Sequence, residues 1–258
     1  MEYAVPPPFD YARQSPCVIR ETLAWAVIYK PAGMPTAPLR PAETGTLVHW
    51  FLSSRLETQA AAVRGKKAIE AGLLHRLDTD TRGLVLFAKD QLTYDFFSAQ
   101  QDAGGIVKTY YAFIESGAAA AAEQIAQQLP YTLQSQFRNF GPGAKKAAPV
   151  FPHSRHFTKD GRIYTTVIEA VTVTAGAIGV RCRLQRGYRH QVRTHLAALG
   201  LPIAGDPLYG SGKECNSDTA AHAEQGLQLY ATALSLPNPQ NRFQRISVAL
   251  PPPDRMTL

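Results

Sequence analysis

The sequence predicts a soluble globular chain of mixed helix and strand, on three observations. Leu84-Val85-Leu86-Phe87-Ala88 is a continuous apolar run, the pattern of a strand buried on both faces. Leu47, Val48, Phe51, Leu52 and Leu56 recur at helical spacing within 46–56. Apolar residues make up 45% and charged residues 18% of 258 residues, enough to bury a proper core.

Residues 1–24, with Pro6-Pro7-Pro8 and Pro16, read as an extended arm. Trp25–Tyr29 is a short apolar strand, stopped by a turn at Lys30-Pro31-Ala32-Gly33-Met34-Pro35. Arg64-Gly65-Lys66-Lys67 forms a short basic loop. Asp90 can cap a helix whose Leu92, Phe96 and Phe97 face the core and which ends at Gly104-Gly105. Val107–Ile114 alternates as a strand, which puts Lys108 and Tyr110 on the same face.

Residues 117–149 read as peripheral, with a helix over 118–128 by propensity and Lys145-Lys146 either touching phosphate or simply solvated. From Gly161 onward, strands are expected over 162–174 and 180–184, with Val180, Cys182 and Leu184 inward and Arg181 and Arg183 outward. Val192, Leu196 and Leu199 mark a helix ended by Gly200 and Pro202, with Arg189 and Arg193 one turn apart near its N-terminus. His190 and His195 are five apart, a poor spacing for joint metal ligation, and read as hydrogen-bonding structural histidines. Gly205-Asp206-Pro207-Leu208-Tyr209-Gly210 is a tight turn, 211–226 a polar loop, and 243–250 a closing strand.

Charge and cysteine usage narrow the function classes. Twenty-seven basic against 20 acidic residues give +7, which fits a polyanion partner. Cys17, Cys182 and Cys215 are widely spaced with no C-x-x-C pair, which argues against a disulfide framework or a cysteine zinc site and suits a reducing cytoplasm. No run of 18 apolar residues suggests a membrane span, and the N-terminus does not read as a signal peptide.

The chemistry centres on His75–Lys89, H-R-L-D-T-D-T-R-G-L-V-L-F-A-K. A charged loop feeding directly into a core strand holds its side chains rigidly, with Gly83 suited to a turn or a close backbone approach at the join. Asp78 is the candidate reactive group. Neighbouring arginines favour the ionised form of a carboxyl, and a positioned carboxylate can act as nucleophile or base. A salt-bridged turn without chemistry is the plainer reading of H-R-L-D taken alone.

Four blocks in order, Val27–Thr36 (V-I-Y-K-P-A-G-M-P-T), His75–Lys89, Lys108-Thr109-Tyr110 and Leu184–Gly210, resemble an RluA-type RNA pseudouridine synthase. The resemblance implies an α+β fold, a mixed, largely antiparallel bent sheet with flanking helices around a central cleft. It implies one catalytic domain over 25–258, no S4 RNA-binding domain before it, and RNA gripped by the catalytic domain itself. It also implies that Asp78 attacks the target uridine, that Tyr110 packs on the base, and that Arg193 pairs with the aspartate. The residues expected to meet RNA are Arg76, Arg82, Lys108, Arg189, His190 and Gln191. Arg76, with its flat guanidinium two residues from Asp78, is expected to fill or stack at the place the uridine vacates. No metal or organic cofactor is implied, the partner is ribosomal or transfer RNA, and the protein is expected to be a monomer.

Three positions depart from the family pattern. Arg82 stands where Ser is usual, Tyr188 stands where Arg is usual in G-R-x-H-Q, and Tyr230 stands where His is usual. Two other functions remain to be weighed. An inert RNA-binding protein retaining the fold would not need the Asp78, Tyr110 and Arg193 set. A glycoside or nucleoside hydrolase would typically need a second carboxylate across the bond, and Asp80 is only two residues from Asp78.

Overall fold

The structure, a computed structural model, describes residues 2–5, 8–54, 62–173, 177–211, 226–241 and 243–253. The chain forms two compact units, the first built from Met1–Lys108 and Tyr230–Pro253, the second including Thr109–Leu229. The first unit holds β1 (Glu2–Ala4), β2 (Cys17–Glu21), β3 (Trp25–Lys30), α1 (Leu47–Ser54), β4 (Arg82–Ala88) and α2 (Gln91–Asp102). The chain crosses to the second unit within β5 (Val107–Ile114). There follow α3 (Ala119–Ala126), β6 (Tyr131–Phe140), β7 (Lys146–Val150), β8 (Tyr164–Val173), β9 (Ile178–Leu184) and α4 (Gln191–Ala198). It returns through β10 (Leu229–Pro237) and β11 (Arg245–Ala249). The class is α+β with mixed, largely antiparallel pairing.

In the first unit the strands run in the order β2-β3-β4-β10, with β11 beside β10 and β1 beside β11. β3 pairs antiparallel with both β2 and β4, whereas β4 with β10 and β1 with β11 are parallel. β3 is buried along its length and β4 from Gly83 onward, as the apolar run of β4 predicts. Val27, Tyr29, Leu84 and Leu86 share a core with Tyr94 and Phe97 of α2. On the other face, Phe51 of α1 lies 4.5 Å from the Phe87 ring. Asp90 caps α2 by accepting from Thr93 N at 2.8 Å, so the expected start of that helix is correct. Its buried face differs from the expectation: Thr93, Tyr94 and Phe97 are inside, while Leu92 is 83% exposed. Thr93, Tyr94 and Phe97 are three and four apart and form one stripe; Leu92 lies outside it.

Residues 1–24, read as an arm, supply two paired strands. Lys89 ties β2 to the core by donating to Glu21 Oε1 and Thr22 O, both at 3.1 Å. The helix expected over 46–56 ends at Ser54, with 55–61 outside the described residues. Most of the loop expected over 211–226, and Thr174, also lie outside them.

In the second unit the strand order is β5-β9-β8-β6-β7, with β9–β8, β8–β6 and β6–β7 antiparallel. Val180, Cys182 and Leu184 are buried as expected, and Arg181 and Arg183 reach out to Glu169 on the neighbouring strand. The hairpin of β6 and β7 falls in the stretch read as peripheral. β6 carries Gln134, Arg138 and Asn139 on exposed positions, so its apolar alternation is weak. His195 locks α4 to this sheet. Its Nε2 is 2.8 Å from Ser135 Oγ and its Nδ1 2.9 Å from Thr166 Oγ1, which confirms the structural reading of this histidine.

Two outcomes follow from this architecture. Gly83 has φ +129°, and a Cβ there would stand 2.2 Å from Ala231 O. Gly83→Ala should therefore destabilise the protein by about 2 kcal/mol or more, read by chemical unfolding. Burial pushes the His195 pKa down from 6.5 to about 4, so between these values the unfolded chain binds more protons than the folded one. Stability should thus be lost as pH falls from 6.5 toward 4, by up to about 1.4 kcal/mol per pH unit from this group. His195→Gln should flatten that part of the unfolding-versus-pH curve.

Candidate active site

The loop carrying Asp78 is fixed from beneath at the residues on either side of it. The Thr36 hydroxyl donates to Leu77 O at 2.7 Å and accepts from Leu77 N at 3.1 Å. Lys30, at the end of β3 and fully buried, donates to Pro31 O (2.8 Å), Met34 O (2.7 Å) and Thr79 O (2.8 Å). Thr81 N donates to Asp78 O at 3.1 Å and closes the turn. Asp78 itself is half-buried and sits on an immobilised backbone.

Lys30 was read from the sequence only as the start of a turn. Three carbonyl acceptors take all three N–H groups of an ammonium. Burial pushes its pKa down to about 7, with Asp80 and Asp78 pulling upward and Arg82 downward. The three carbonyl acceptors favour the ammonium against that burial, beneath the Asp78 loop. A lysine closing an otherwise wholly apolar strand, W-A-V-I-Y-K, is the signal that points to it.

The other candidates of the first unit are Arg76 and Arg82, in the same stretch as Asp78, and Lys108, which lies near His75. Arg76 has a 58% exposed side chain and reaches Glu70 at 3.3 Å. Arg82 donates to Tyr230 Oη at 3.2 Å. His75 Nε2 accepts from Leu86 N at 3.3 Å, while its Nδ1 is buried without a partner among the described residues. Burial, and then nearby Lys108, push the His75 pKa well below 6.5, so the ring is neutral. Lys108 is itself buried, and desolvation followed by Lys66 lowers it to about 8. Lys108 and Tyr110 do share one face of β5, and that face is buried rather than wet.

In the second unit the candidates gather at the start of α4. Arg193 grips Asp206 bidentately, Nε to Oδ2 at 2.8 Å and Nη2 to Oδ1 at 2.7 Å, with both side chains buried. Its guanidinium also lies 5.2 Å from the Tyr209 ring centroid. Asp206 Oδ1 accepts further from Leu208 N and Tyr209 N, at 2.9 and 3.1 Å. A fork held this way keeps a single orientation. Asp206 was legible in the sequence only as part of a tight turn.

The neighbours of Arg193 are equally fixed. His190 takes φ 59°, a left-handed conformation uncommon outside glycine, and its Nδ1 is 2.8 Å from Tyr209 Oη. Gln191 is buried, donating to Thr165 O (3.1 Å) and Thr166 Oγ1 (3.0 Å) and accepting from Tyr188 N (2.9 Å). Arg189 precedes the helix and reaches Asn139 Oδ1 (3.1 Å), Ala144 O and Lys146 O (3.3 Å), tying it to the β6–β7 turn. Tyr188 stacks on Phe137 at 4.8 Å and 12°, and donates to Asn139.

The comparisons with known proteins bear on this arrangement. A family model described as RNA pseudouridylate synthase matches residues 24–198. The chain is 28% identical over 201 residues to an uncharacterized RNA pseudouridine synthase, YhcT, of Bacillus subtilis, covering 77% of this chain and 59% of that one. It is 31% identical over 189 residues to the ribosomal large subunit pseudouridine synthase D of Xanthomonas campestris, covering 71% of this chain and 48% of that one. It thus spans only about half to three fifths of the length of these relatives. Among solved structures, the human RNA pseudouridylate synthase domain containing 1 shares the fold at a TM-score of 0.63 and 17% identity. That alignment covers 96% of this chain and 87% of the human one. With a family match over more than half of its residues and the four sequence blocks in order, the chain belongs to the RNA pseudouridylate synthase family, of the RluA type.

Proposed function

We propose that the protein isomerises uridine to pseudouridine in RNA, with Asp78 as the nucleophile. The observation that carries this reading is the Asp78 loop itself: a half-buried aspartate on a backbone pinned by Thr36 and by the buried Lys30. The N1–C1′ bond breaks, the uracil turns, C5 bonds to C1′, and the C5 proton is lost while N1 gains one. The aspartate attacks C1′ of the ribose or C6 of the uracil. Tyr110 packs on the base and Arg193 partners the carboxylate, the roles that the resemblance implies for these positions. Neither redox chemistry nor a cofactor is called for by these bond changes.

The substrate is ribosomal or transfer RNA, which the net charge of +7 supports. The names of several relatives, ribosomal large subunit pseudouridine synthase D, favour the ribosomal one. Arg76, Arg82, Lys108, Arg189, His190 and Gln191 serve the RNA, the buried Lys108 and Gln191 by shaping the surface rather than by reaching phosphate. The target base must leave its stack, at a cost of roughly a few kcal/mol, and Arg76, exposed and flat, takes the vacated place. Residues 25–258 act as the catalytic domain, in a monomer.

Tritium release from RNA labelled at uridine C5 tests the reaction. Wild type should release tritium from ribosomal or transfer RNA lacking pseudouridine, with no cofactor added, and Asp78→Asn should release none. Retained RNA binding without release from either RNA by wild type would identify an inert RNA-binding protein instead. Arg76→Ala should slow turnover on structured RNA more than on single-stranded RNA, compared by single-turnover rates; equal slowing would refute its stacking role.

A further inference from the structure

The second unit carries a stack of rings that the proposed reaction does not use. Phe137 of β6 and Tyr188, three residues before α4, lie nearly parallel, with ring centroids 4.8 Å apart at 12°. His195, 1% exposed, stands 5.0 Å from Phe137 and makes the buried end of the series. Tyr164 of β8 is edge-on to both rings, 5.6 Å from Phe137 and 5.3 Å from Tyr188. A ring capping Tyr188 would lie much nearer to Tyr188 than to Phe137, so these similar distances put Tyr164 beside the stack. Among the described residues, no ring or cation lies over the other face of Tyr188.

The outer end of the stack reaches the surface and is held still. Phe137 and Tyr188 are half-buried. The Tyr188 hydroxyl donates to Asn139 Oδ1 at 3.2 Å in a solvent-exposed bond, and the same oxygen accepts from Arg189 Nη2 at 3.1 Å. The Tyr188 N–H donates to Gln191 Oε1 at 2.9 Å, which fixes the backbone as well. The surroundings are basic. Residues 131–163 hold Arg138, Lys145, Lys146, Arg155, Lys159 and Arg162 against Asp160 alone, six to one, where the whole chain has 27 to 20.

A rigid ring face at the surface can stack on any nucleobase, and cations beside it can meet the phosphates on either side. The local charge excess favours a polyanion over a protein as the occupant. A base inside a duplex has both faces covered by its neighbours, so the occupant is an unpaired one. Tyr188 stands where arginine is usual in the family pattern. A guanidinium plane also stacks on bases, so the exchange keeps a flat face at this place.

We propose that the outer face of Tyr188 stacks an unpaired base of the bound RNA, with Arg189 and the basic β6–β7 hairpin meeting the phosphates beside it. The inference takes RNA as the partner from the isomerase reading, but its own readout is stacking. The probe is a single-stranded oligouridylate of about ten nucleotides with 2-aminopurine at its centre, a base that loses fluorescence when stacked on a ring. Affinity and quenching are followed against salt for wild type, Tyr188→Ala, Tyr188→Leu, Tyr188→Phe and Arg189→Gln. Tritium release from ribosomal and transfer RNA labelled at uridine C5 is measured for wild type in parallel.

Wild type should quench the probe. Tyr188→Ala should lose the quenching and bind about tenfold more weakly, with the wild-type salt slope, because no phosphate contact is removed. Tyr188→Phe should quench as wild type does, since the ring remains. Arg189→Gln should keep the quenching and lower the log–log salt slope by about 1. Tyr188→Leu, which fills the space over Phe137 without a ring, should also lose the quenching, and carries the test if Tyr188→Ala fails to fold by thermal unfolding. Quenching that survives in the folded variants without the ring would overturn the stacking. Weaker binding with a lower slope and unchanged quenching would make Tyr188 a support for phosphate contacts instead. Wild type that releases tritium without quenching would keep the isomerase reading and overturn this one. Quenching without tritium release would do the reverse, and wild type that binds no RNA would overturn both.

Discussion

The ammonium of Lys30 is the constraint on which the rest of the Asp78 loop depends. It is fully buried, yet it does not stand unpartnered: Pro31 O, Met34 O and Thr79 O take its three protons. A buried cation is costly to leave unsatisfied, so those three carbonyls cannot drift apart without exposing the cost. One residue thereby joins the end of β3, the Gly33 turn and the loop after Asp78. The Thr36 hydroxyl adds a second link across the same gap, to both polar groups of Leu77. The backbone on both sides of Asp78 is set here by buried groups beneath it.

The second unit solves the same problem by other means. Arg193 is oriented by a buried carboxylate, Asp206, which is itself oriented by two backbone N–H groups of the following turn. Around that pair, His190 and Tyr209 hold each other and Gln191 fills the polar space below the helix start. Such a network contributes to uniqueness of geometry more than to stability, because an apolar filling would often be as stable. His190 accepts a left-handed backbone at the point where the chain enters α4, strain of the kind that the surrounding bonds must hold in place.

How much of this was legible in the sequence depended on whether a local pattern carried it. The apolar run of β4, the Asp90 cap of α2, the alternation in β5 and β9, and the need for glycine at position 83 are all local, and all were readable. The face of α2 was misjudged because Leu92 looked like core by type, whereas Thr93 and Tyr94 complete the stripe with Phe97. β6 escaped because polar residues on a partly exposed strand dilute the alternation. Lys30 and Asp206 escaped for a different reason: their partners are carbonyls, backbone amides or a side chain brought near by the fold. The roles of Asp78, Tyr110 and Arg193 came from motif resemblance, not from any physical pattern in the chain.

The order of the strands also has a bearing on how the protein is made. β4, with its five-residue apolar run, is flanked by β3, made before it, and by β10, made near the end of the chain. The second unit's described residues form a continuous insertion between them, and its strand order β5-β9-β8-β6-β7 is complete once Leu184 has been synthesised. During translation at about 5–20 residues per second, the second unit can therefore close while Arg82 and Gly83 of β4 still wait for Tyr230 and Ala231, the Leu86–Ala88 end being bonded already to Gly72–Leu74. Strand backbone left unpaired is a template for wrong association. The unit that begins first is the one that finishes last, and its window of vulnerability is as long as the insertion it carries.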